Sequence, residues 1–329
     1  MKKTGALIIG TGSALPSRIL TNYDLEKMVE TSDEWITQRT GIKERRIVST
    51  GESNSRLAIE ASKKALEIAK VDPEELDLII VGTLTPDYLM PSVAVLVQKE
   101  LGAKRAGAFD LSATCSGFIY GLTIADRFIR ANPKSKILVI GSEVLSTKVN
   151  WEDRTTCVLF GDGAGAVVVT GSEDEERGFL SGHLHADGSL WHLLTLKGCG
   201  SLYPPCGNEL PQDEYYIKMQ GREVFKNAVR AMESVALEAL KANGLEAKEI
   251  DLLIPHQANI RIIEYLRERL GLPKEKVFVN LQKYGNTSAA SIPIALDEAA
   301  REGRLKPGDL VLLVAFGGGF TWASALLRW

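Results

Sequence analysis

Pro73-Glu74-Glu75-Leu76-Asp77-Leu78-Ile79-Ile80, preceded by Ala65-Leu66, returns later in the chain as Ala247-Lys248-Glu249-Ile250-Asp251-Leu252-Leu253-Ile254, preceded by Ala239-Leu240. The offset is constant, since 239 − 65 = 174 and 251 − 77 = 174. Further along, Lys136-Ile137-Leu138-Val139-Ile140-Gly141 meets Leu310-Val311-Leu312-Leu313-Val314-Ala315, and 311 − 137 is again 174. Chance similarity of patterning does not hold one spacing across three markers, so the chain reads as two halves of one plan, residues 1–172 and 173–329. Phe109-Asp110-Leu111 ahead of Cys115 answers Val279-Asn280-Leu281 ahead of Asn286, with a length change of about four residues that a loop absorbs at little entropic cost.

Each half alternates amphipathic helices with buried apolar strands, which is the pattern of an α/β fold. Leu57, Ala58, Ala61, Ala65, Leu66 and Ile68 recur at helical spacing with Lys63, Lys64 and Glu67 on the opposite face. Val229, Met232, Val235, Ala236, Ala239 and Leu240 do the same in the second half. With 329 residues, 45% hydrophobic and 25% charged, the chain has ample material for a large core and is not of disordered composition. A net charge of -3 gives no global attraction to nucleic acid or an anionic membrane, so an anionic partner must find a local basic patch. Gly10 and Gly12 cut short the N-terminal run Ala6-Leu7-Ile8-Ile9, which is too brief for a signal peptide or spanning helix and reads as a first strand. Cys115, Cys157, Cys199 and Cys206 form no CxxC pair, which suggests neither a disulfide framework nor a structural metal site, and a cytoplasmic compartment.

Cys115 lies where the strand-like run through Asp110-Leu111 gives way to the helical pattern Ile119 to Ile129. At a helix N-terminus the dipole and free N–H groups favour thiolate, which makes this a candidate nucleophile, although a lone cysteine is also commonly a small buried hydrophobe. His256 follows the strand Ile250 to Ile254, at the strand end where open α/β sheets place ligands. Asn286, in Tyr284-Gly285-Asn286-Thr287-Ser288, has the setting of a turn or cap residue. The duplication changes that reading: if Cys115 and Asn286 hold equivalent places in the two halves, they converge across a pseudo-twofold axis, and three polar residues share one cleft. Gly317-Gly318-Gly319, directly after a strand, permits close backbone approach and suits an oxyanion-hole element. Gly161-Asp162-Gly163-Ala164-Gly165-Ala166 runs into Val167-Val168-Val169 and lacks the G-x-G-x-x-G spacing and following helix of a dinucleotide loop. His183, His185 and His192 raise a metal possibility, but their spacing matches no zinc signature, and Asp187-Gly188 suggests an ordinary hairpin turn, so no metal is assigned.

Taken together, Thr31-Ser32-Asp33-Glu34-Trp35-Ile36 through Arg39-Thr40-Gly41-Ile42, Ala113-Thr114-Cys115-Ser116-Gly117-Phe118, Phe160-Gly161-Asp162-Gly163-Ala164-Gly165-Ala166, His256-Gln257-Ala258-Asn259, Gly285-Asn286-Thr287-Ser288 and Gly317-Gly318-Gly319-Phe320-Thr321-Trp322 resemble the β-ketoacyl-acyl carrier protein synthase III family of the thiolase superfamily. The resemblance runs nearly end to end. It implies a five-layer αβαβα thiolase fold, a homodimer and a catalytic triad of Cys115, His256 and Asn286. The implied reaction is acyl transfer from a short acyl-CoA such as acetyl-CoA to Cys115, then decarboxylative Claisen condensation with malonyl-acyl carrier protein, with no metal or redox cofactor. Cys115 and Gly318 would supply the oxyanion-hole N–H groups. Thr31, Trp35, Arg39, Arg154 and Asn259 would hold coenzyme A, and Met90 and Phe160 would shape the acyl pocket, Met90 that of the other subunit. Lys226, Arg261 and Arg269 would form the basic patch for an acidic carrier protein. A thiolase would want a second reactive cysteine where Phe316 precedes Gly317, an elongating synthase a second histidine in place of Asn286, and a papain-like hydrolase a different setting around the cysteine. Specialised relatives with other primers share the triad, so the primer stays open.

Overall fold

Unbroken runs of branched aliphatic residues suit strands covered on both faces, and Leu78–Gly82 and Leu310–Gly317 are buried along their whole length. In the computed structural model, which describes residues 5–174, 176–204 and 210–329, these runs lie inside two mixed sheets. The first contains β1 (Ala6–Ala14), β2 (Leu78–Gly82), β3 (Gly107–Leu111), β4 (Ile137–Val144) and β5 (Asp162–Gly171), in the order β1-β5-β4-β2-β3. The second contains β6 (Gly178–Ala186), β7 (Leu252–Pro255), β8 (Leu310–Gly317) and β9 (Thr321–Arg328), in the order β7-β8-β9-β6. β2 and β4 are parallel, as are β7 and β8, and even the register repeats: Leu78 pairs with Ile137, and Leu252 with Val311.

The helices that cover these sheets are α1 (Asp33–Thr40), α2 (Asn54–Ala69), α3 (Val93–Leu101), α4 (Gly117–Ala131), α5 (Gly221–Ala242), α6 (Ile260–Arg269) and α7 (Ser291–Arg301). Because side chains alternate along a strand, each sheet feeds two cores. Ile79, Val81, Leu138 and Ile140 face Leu57 and Ala61 of α2 and Val97 of α3. Ile80 and Val139 from one sheet, with Ile254 and Leu313 from the other, enclose Ile119 and Leu122 of α4 and Ile292 and Leu296 of α7. On the far side Leu253, Leu312 and Val314 meet Met232 and Val235 of α5 and Ile263 and Leu266 of α6. The layers therefore run helix, sheet, helix, sheet, helix, which is the five-layer αβαβα arrangement of the thiolase fold.

Several local expectations change. The Gly161–Ala166 run is the start of β5, and its glycines serve packing: a Cβ on Gly165 would stand 2.5 Å from the Ile294 amide nitrogen of α7. Ile68, expected on the buried face of α2, is exposed. Asp187-Gly188 does not make a tight hairpin, since Asp187 caps a 3-10 turn over Gly188–Leu193 by accepting a hydrogen bond from the Ser189 amide at 2.9 Å. Val279 to Leu281 is not a strand; only Val277 bridges Leu253, where the first half pairs Ala108 with Ile79. That bridge gives an offset of 277 − 108 = 169, whereas the left-handed residues Thr114 and Ser288 are 174 apart, so the second-half connection is five residues longer, not about four. Asn286 lies within this longer connection, and the counterpart of Cys115 at the 174 offset is Ala289. Cys206 lies outside the described residues, and Cys115, Cys157 and Cys199 are free thiols.

Candidate active site

Two matching turns frame the candidate site. Thr114–Ser116 leads into α4 and Ser288–Ala290 into α7, and each begins with a non-glycine residue at positive φ, Thr114 at 47° and Ser288 at 50°. Such strain persists only where surrounding packing imposes it, and here the two turns pack against each other. Cys115, His256 and Asn286 line one cavity of about 110 Å³, walled also by Phe160, Phe225, Met232 and Asn259. A second, apolar cavity of about 100 Å³ is bounded by Leu84, Leu145, Phe160, Leu194 and Ile217, and it too reaches Cys115, Ser288 and Gly318. Cys115 thus stands where two largely apolar chambers meet, the first carrying the polar groups of His256, Asn259 and Asn286.

His256 is fixed at the end of β7 by its N–H, which donates to the Val314 carbonyl at 2.8 Å. Its Nδ1 lies 2.7 Å from Ser291 Oγ, and that oxygen also accepts from the Gln257 amide at 3.4 Å. The Ser291 hydroxyl has no other acceptor among the described residues, so its proton goes to Nδ1, and this network assigns the ring proton to Nε2. Burial pushes the imidazole down to about 3, so it is neutral and Nε2–H is a donor. Asn286 is held by backbone bonds to Leu159 and Gly161 at 2.8 and 3.0 Å. Its Oδ1 accepts from the Ser288 amide at 2.8 Å, which leaves the NH₂ end as the free donor.

The thiol departs from the expected thiolate. Burial pushes Cys115 up to about 12, the Glu143 carboxylate acts in the same direction, and the Ser288 hydroxyl opposes them. That displacement is worth roughly 4 kcal/mol, whereas a helix terminus supplies about 2 kcal/mol at most. Desolvation wins, and the thiolate must be generated during the reaction. The glycine run does approach Cys115: a Cβ on Gly317 would stand 2.2 Å from Thr114 Oγ1 and 2.7 Å from the Cys115 nitrogen. Thr114 Oγ1 also donates to the Gly318 carbonyl at 3.0 Å, tying the loop to the turn.

Away from the thiol, the Arg39 and Arg154 guanidinium carbons lie 5.5 and 4.9 Å from the Trp35 ring centroid. Asn259 caps α6 by accepting from the Arg261 amide at 2.9 Å, and it donates to the Arg39 carbonyl at 3.1 Å, joining α6 to α1. Thr31 Oγ1 is buried without a partner among the described residues. Lys226 and Arg269 are already paired, with Glu223 at 2.8 Å and Glu233 at 2.6 Å, while Arg261 lies over the Phe225 ring at 5.5 Å. Met90 is 86% exposed and does not line either cavity of its own chain. His183 and His185 both hydrogen-bond Glu238, at 3.1 and 2.6 Å, and His192 packs edge-on to Trp191. Among the described residues no three His, Cys, Asp or Glu side chains are grouped to hold a metal ion.

Three functional candidates escaped the sequence. Ser288 and Ser291 send their hydroxyls to partners far away in the chain, Glu143 and His256, and although Ser288 closes the Gly285–Ser288 motif, nothing local shows what its hydroxyl reaches. Glu143 was detectable, because an acid in the buried run Ile137–Val144 breaks its apolar character.

A nucleophile beside two uncharged donors can carry an acyl group and stabilise an enolate without a strong base, and on this duplicated fold that combination defines a condensing enzyme of the thiolase superfamily. Two family models match, 3-oxoacyl-[acyl-carrier-protein] synthase III over residues 109–188 and its C-terminal part over residues 240–329. The chain is 58% identical over 325 residues to β-ketoacyl-[acyl-carrier-protein] synthase III of Aquifex aeolicus, covering 99% of this chain and all of that one. It is 56% identical over 328 residues to the synthase III of Caldanaerobacter subterraneus, covering 100% and 99%. The Aquifex crystal structure superposes with a TM-score of 0.92 over 99% of this chain and 100% of that one, and the Thermus thermophilus synthase III, 48% identical, with 0.91 over 98% of each. The chain belongs to the β-ketoacyl-[acyl-carrier-protein] synthase III family and is an acyltransferase of fatty acid biosynthesis.

Proposed function

We propose that Cys115 takes the acyl group of a short acyl-CoA, acetyl-CoA being the expected primer, and passes it to a carbanion formed from malonyl-acyl carrier protein. The reading is carried by one observation: the thiol, the His256 ring and the Asn286 amide line the same cavity, with the hydrogen bonds of Ser291 and Ser288 leaving Nε2–H and NH₂ as donors. The thiolate attacks the thioester carbonyl, the N–H groups of Cys115 and Gly318 receive the oxyanion, and coenzyme A leaves as its thiol. Malonyl-acyl carrier protein then loses CO₂. His256 and Asn286 donate to the enolate oxygen, and the carbanion attacks the acyl-cysteine to give 3-ketoacyl-acyl carrier protein and the Cys115 thiolate, which takes one proton from water to return to the thiol. Each of these steps balances without metal, flavin or nicotinamide.

Coenzyme A is assigned to the Thr31, Trp35, Arg39, Arg154 and Asn259 side of the cavity. Its adenine would stack on Trp35 once Arg154 moves aside, giving up its 2.7 Å bond to the Glu30 carbonyl. Phe160 borders the acyl pocket, and Met90 serves that of a second copy. A homodimer is supported by β3, which ends its sheet with an unpaired edge bearing exposed Phe109, and by the exposed Leu89 and Met90. Arg261, with Lys226 and Arg269, would receive the acidic carrier protein. The halves 1–172 and 173–329 are taken as fused copies of one unit. Among the described residues no helix is long and apolar enough to cross a membrane, and a cytoplasmic location is proposed. Labelling from radioactive acetyl-CoA tests the assignment: Cys115→Ala should abolish it, whereas His256→Ala and Asn286→Ala should retain it and lose condensation. Undiminished labelling of Cys115→Ala at another residue would refute it.

A further inference from the structure

Glu143 is fully buried on β4, yet the reaction as described leaves it unused. Its carboxylate collects four donor groups. Thr83 Oγ1 donates at 3.3 Å, Thr85 Oγ1 at 2.6 Å and the Leu84 amide at 3.2 Å, while Ser288 Oγ donates at 3.1 Å. Backbone donors orient the two threonine hydroxyls: Thr83 Oγ1 accepts from the Thr85 amide at 3.1 Å and Thr85 Oγ1 from the Val144 amide at 2.8 Å, with Asn54 Nδ2 behind them at 2.9 and 3.2 Å. Their protons therefore point at Glu143, which is held as an acceptor. The exception in kind is Ser288, whose turn packs against that of Cys115 and which borders the same cavity as the thiol. Its backbone is kept at φ 50°, a conformation that costs energy for a residue with a side chain, and its hydroxyl reaches the carboxylate from the wall of the cavity it shares with the thiol.

We propose that Glu143 is a positioning residue that accepts the Cys115 proton through Ser288 as the thiolate forms. The step balances: the S–H proton passes to Ser288 Oγ, the Ser288 hydroxyl proton passes to Glu143 Oε1, and a thiolate, an intact serine and a neutral carboxylic acid result. Coenzyme A leaving as a thiolate can draw the proton back along the same chain. Burial, outweighing the hydrogen bonds the carboxylate accepts, pushes Glu143 up to about 7, and burial pushes His256 down to about 3, so of the two buried groups the carboxylate is the stronger base. The groups facing Glu143 are Thr83, Leu84 and Thr85 after β2, Asn54 of α2 behind those hydroxyls, Ser288, and Cys115; none of these carries a charge at neutral pH. The inference rests on the proposed role of Cys115 as nucleophile.

The test measures Cys115 modification against pH, both acylation by labelled acetyl-CoA and alkylation by iodoacetamide, in Glu143→Gln and Ser288→Ala. For the wild type, a rate that levels off above neutrality is expected. In either variant the rate at pH 7 should fall about a hundredfold, the lower range for a general base, and should climb tenfold per pH unit without levelling. The opposing electrostatic effect makes the sign decisive, because a bare Glu143 charge disfavours thiolate and its removal alone would speed the reaction. A Glu143→Gln rate at pH 7 equal to or above wild type overturns the proposal, as does a uniform drop with an unchanged profile. Should Glu143→Gln not fold, Ser288→Ala decides alone, since it keeps the carboxylate and its other donors; a wild-type profile there overturns the relay. Alkylation keeps the tests separate: wild-type protein that alkylates with a plateau but takes no acetyl group refutes the acyl-CoA reading and leaves the relay supported.

Discussion

Replacing Ser291 by alanine removes a single oxygen, 2.7 Å from His256 Nδ1. Two consequences follow from its loss. The Nδ1 lone pair, buried with the 4% exposed ring, is left without a donor, a defect worth about 1–3 kcal/mol of stability. Nothing then holds the ring proton on Nε2, so a fraction of molecules present a lone pair, not a donor, to the forming enolate. Losing an oxyanion donor outright costs about a hundredfold to a thousandfold; because the imidazole remains and still samples the productive form, decarboxylation should slow by about tenfold to a hundredfold. The assay is release of labelled CO₂ from malonyl-acyl carrier protein, run beside acetyl transfer to Cys115, which should stay within about twofold because its oxyanion is received by backbone N–H groups. Nitrogen-15 spectra of the histidine ring report the tautomer directly. If Ser291→Ala decarboxylates at the wild-type rate, or keeps the Nε2–H form with the rate reduced, the hydroxyl is not what sets the ring proton.

Other perturbations probe separate parts of the site. Gly317→Ala places a methyl group 2.7 Å from the Cys115 nitrogen, so acetyl transfer should fall by at least about a hundredfold; transfer within tenfold of wild type would mean the loop does not position the oxyanion donors. His256 is held at about 3 when folded against 6.5 when free, so its contribution is fully present above 6.5 and is lost as pH falls toward 3. Between pH 7 and pH 5 the wild type should lose about 2 kcal/mol more stability in urea unfolding than His256→Asn, which retains every other titrating group, and equal losses would contradict a buried neutral ring. Arg154→Ala should raise KM for acetyl-CoA about tenfold with kcat little changed, as expected for losing a stacked cation; an unchanged KM argues against adenine at Trp35. Phe109→Glu, on the open edge of β3, should convert the protein to monomers in sedimentation, and a persisting dimer would place the interface elsewhere.

Spacing along the chain revealed most of the architecture because it records repeated packing: residues 174 apart occupy equal places in the two sheets even to register. It failed where one copy grew. The five extra residues of the second connection are invisible to a pattern built on apolar periodicity, and they led to a pairing of Cys115 with Asn286 that the turns do not bear out, since Ala289 is the counterpart. Asn286 reaches the cavity because the longer connection carries it there, bridged to Phe160. The thiolate expectation failed for a different reason. A strand-to-helix junction is a local feature, whereas desolvation depends on what closes over the sulfur, here Leu84, Phe160 and Leu194 from three distant segments.

That closure has two opposing effects on the chemistry, and together they account for the uncharged partners. Low polarity around the site disfavours every isolated ion in it, which raises Cys115 and lowers His256. The same environment strengthens each hydrogen bond to a charge that forms only transiently. An imidazolium would attract the malonyl carboxylate before reaction, spending its effect on the ground state, whereas a neutral Nε2–H and an amide NH₂ act mainly on the oxygen that becomes negative as CO₂ departs. On the proposed mechanism, selectivity for the transition state comes from keeping His256 neutral, which burial does, while Ser291 sets the nitrogen that carries the proton. Making the thiolate in so dry a place then becomes the harder step, and it is the step for which Glu143, through Ser288, is placed.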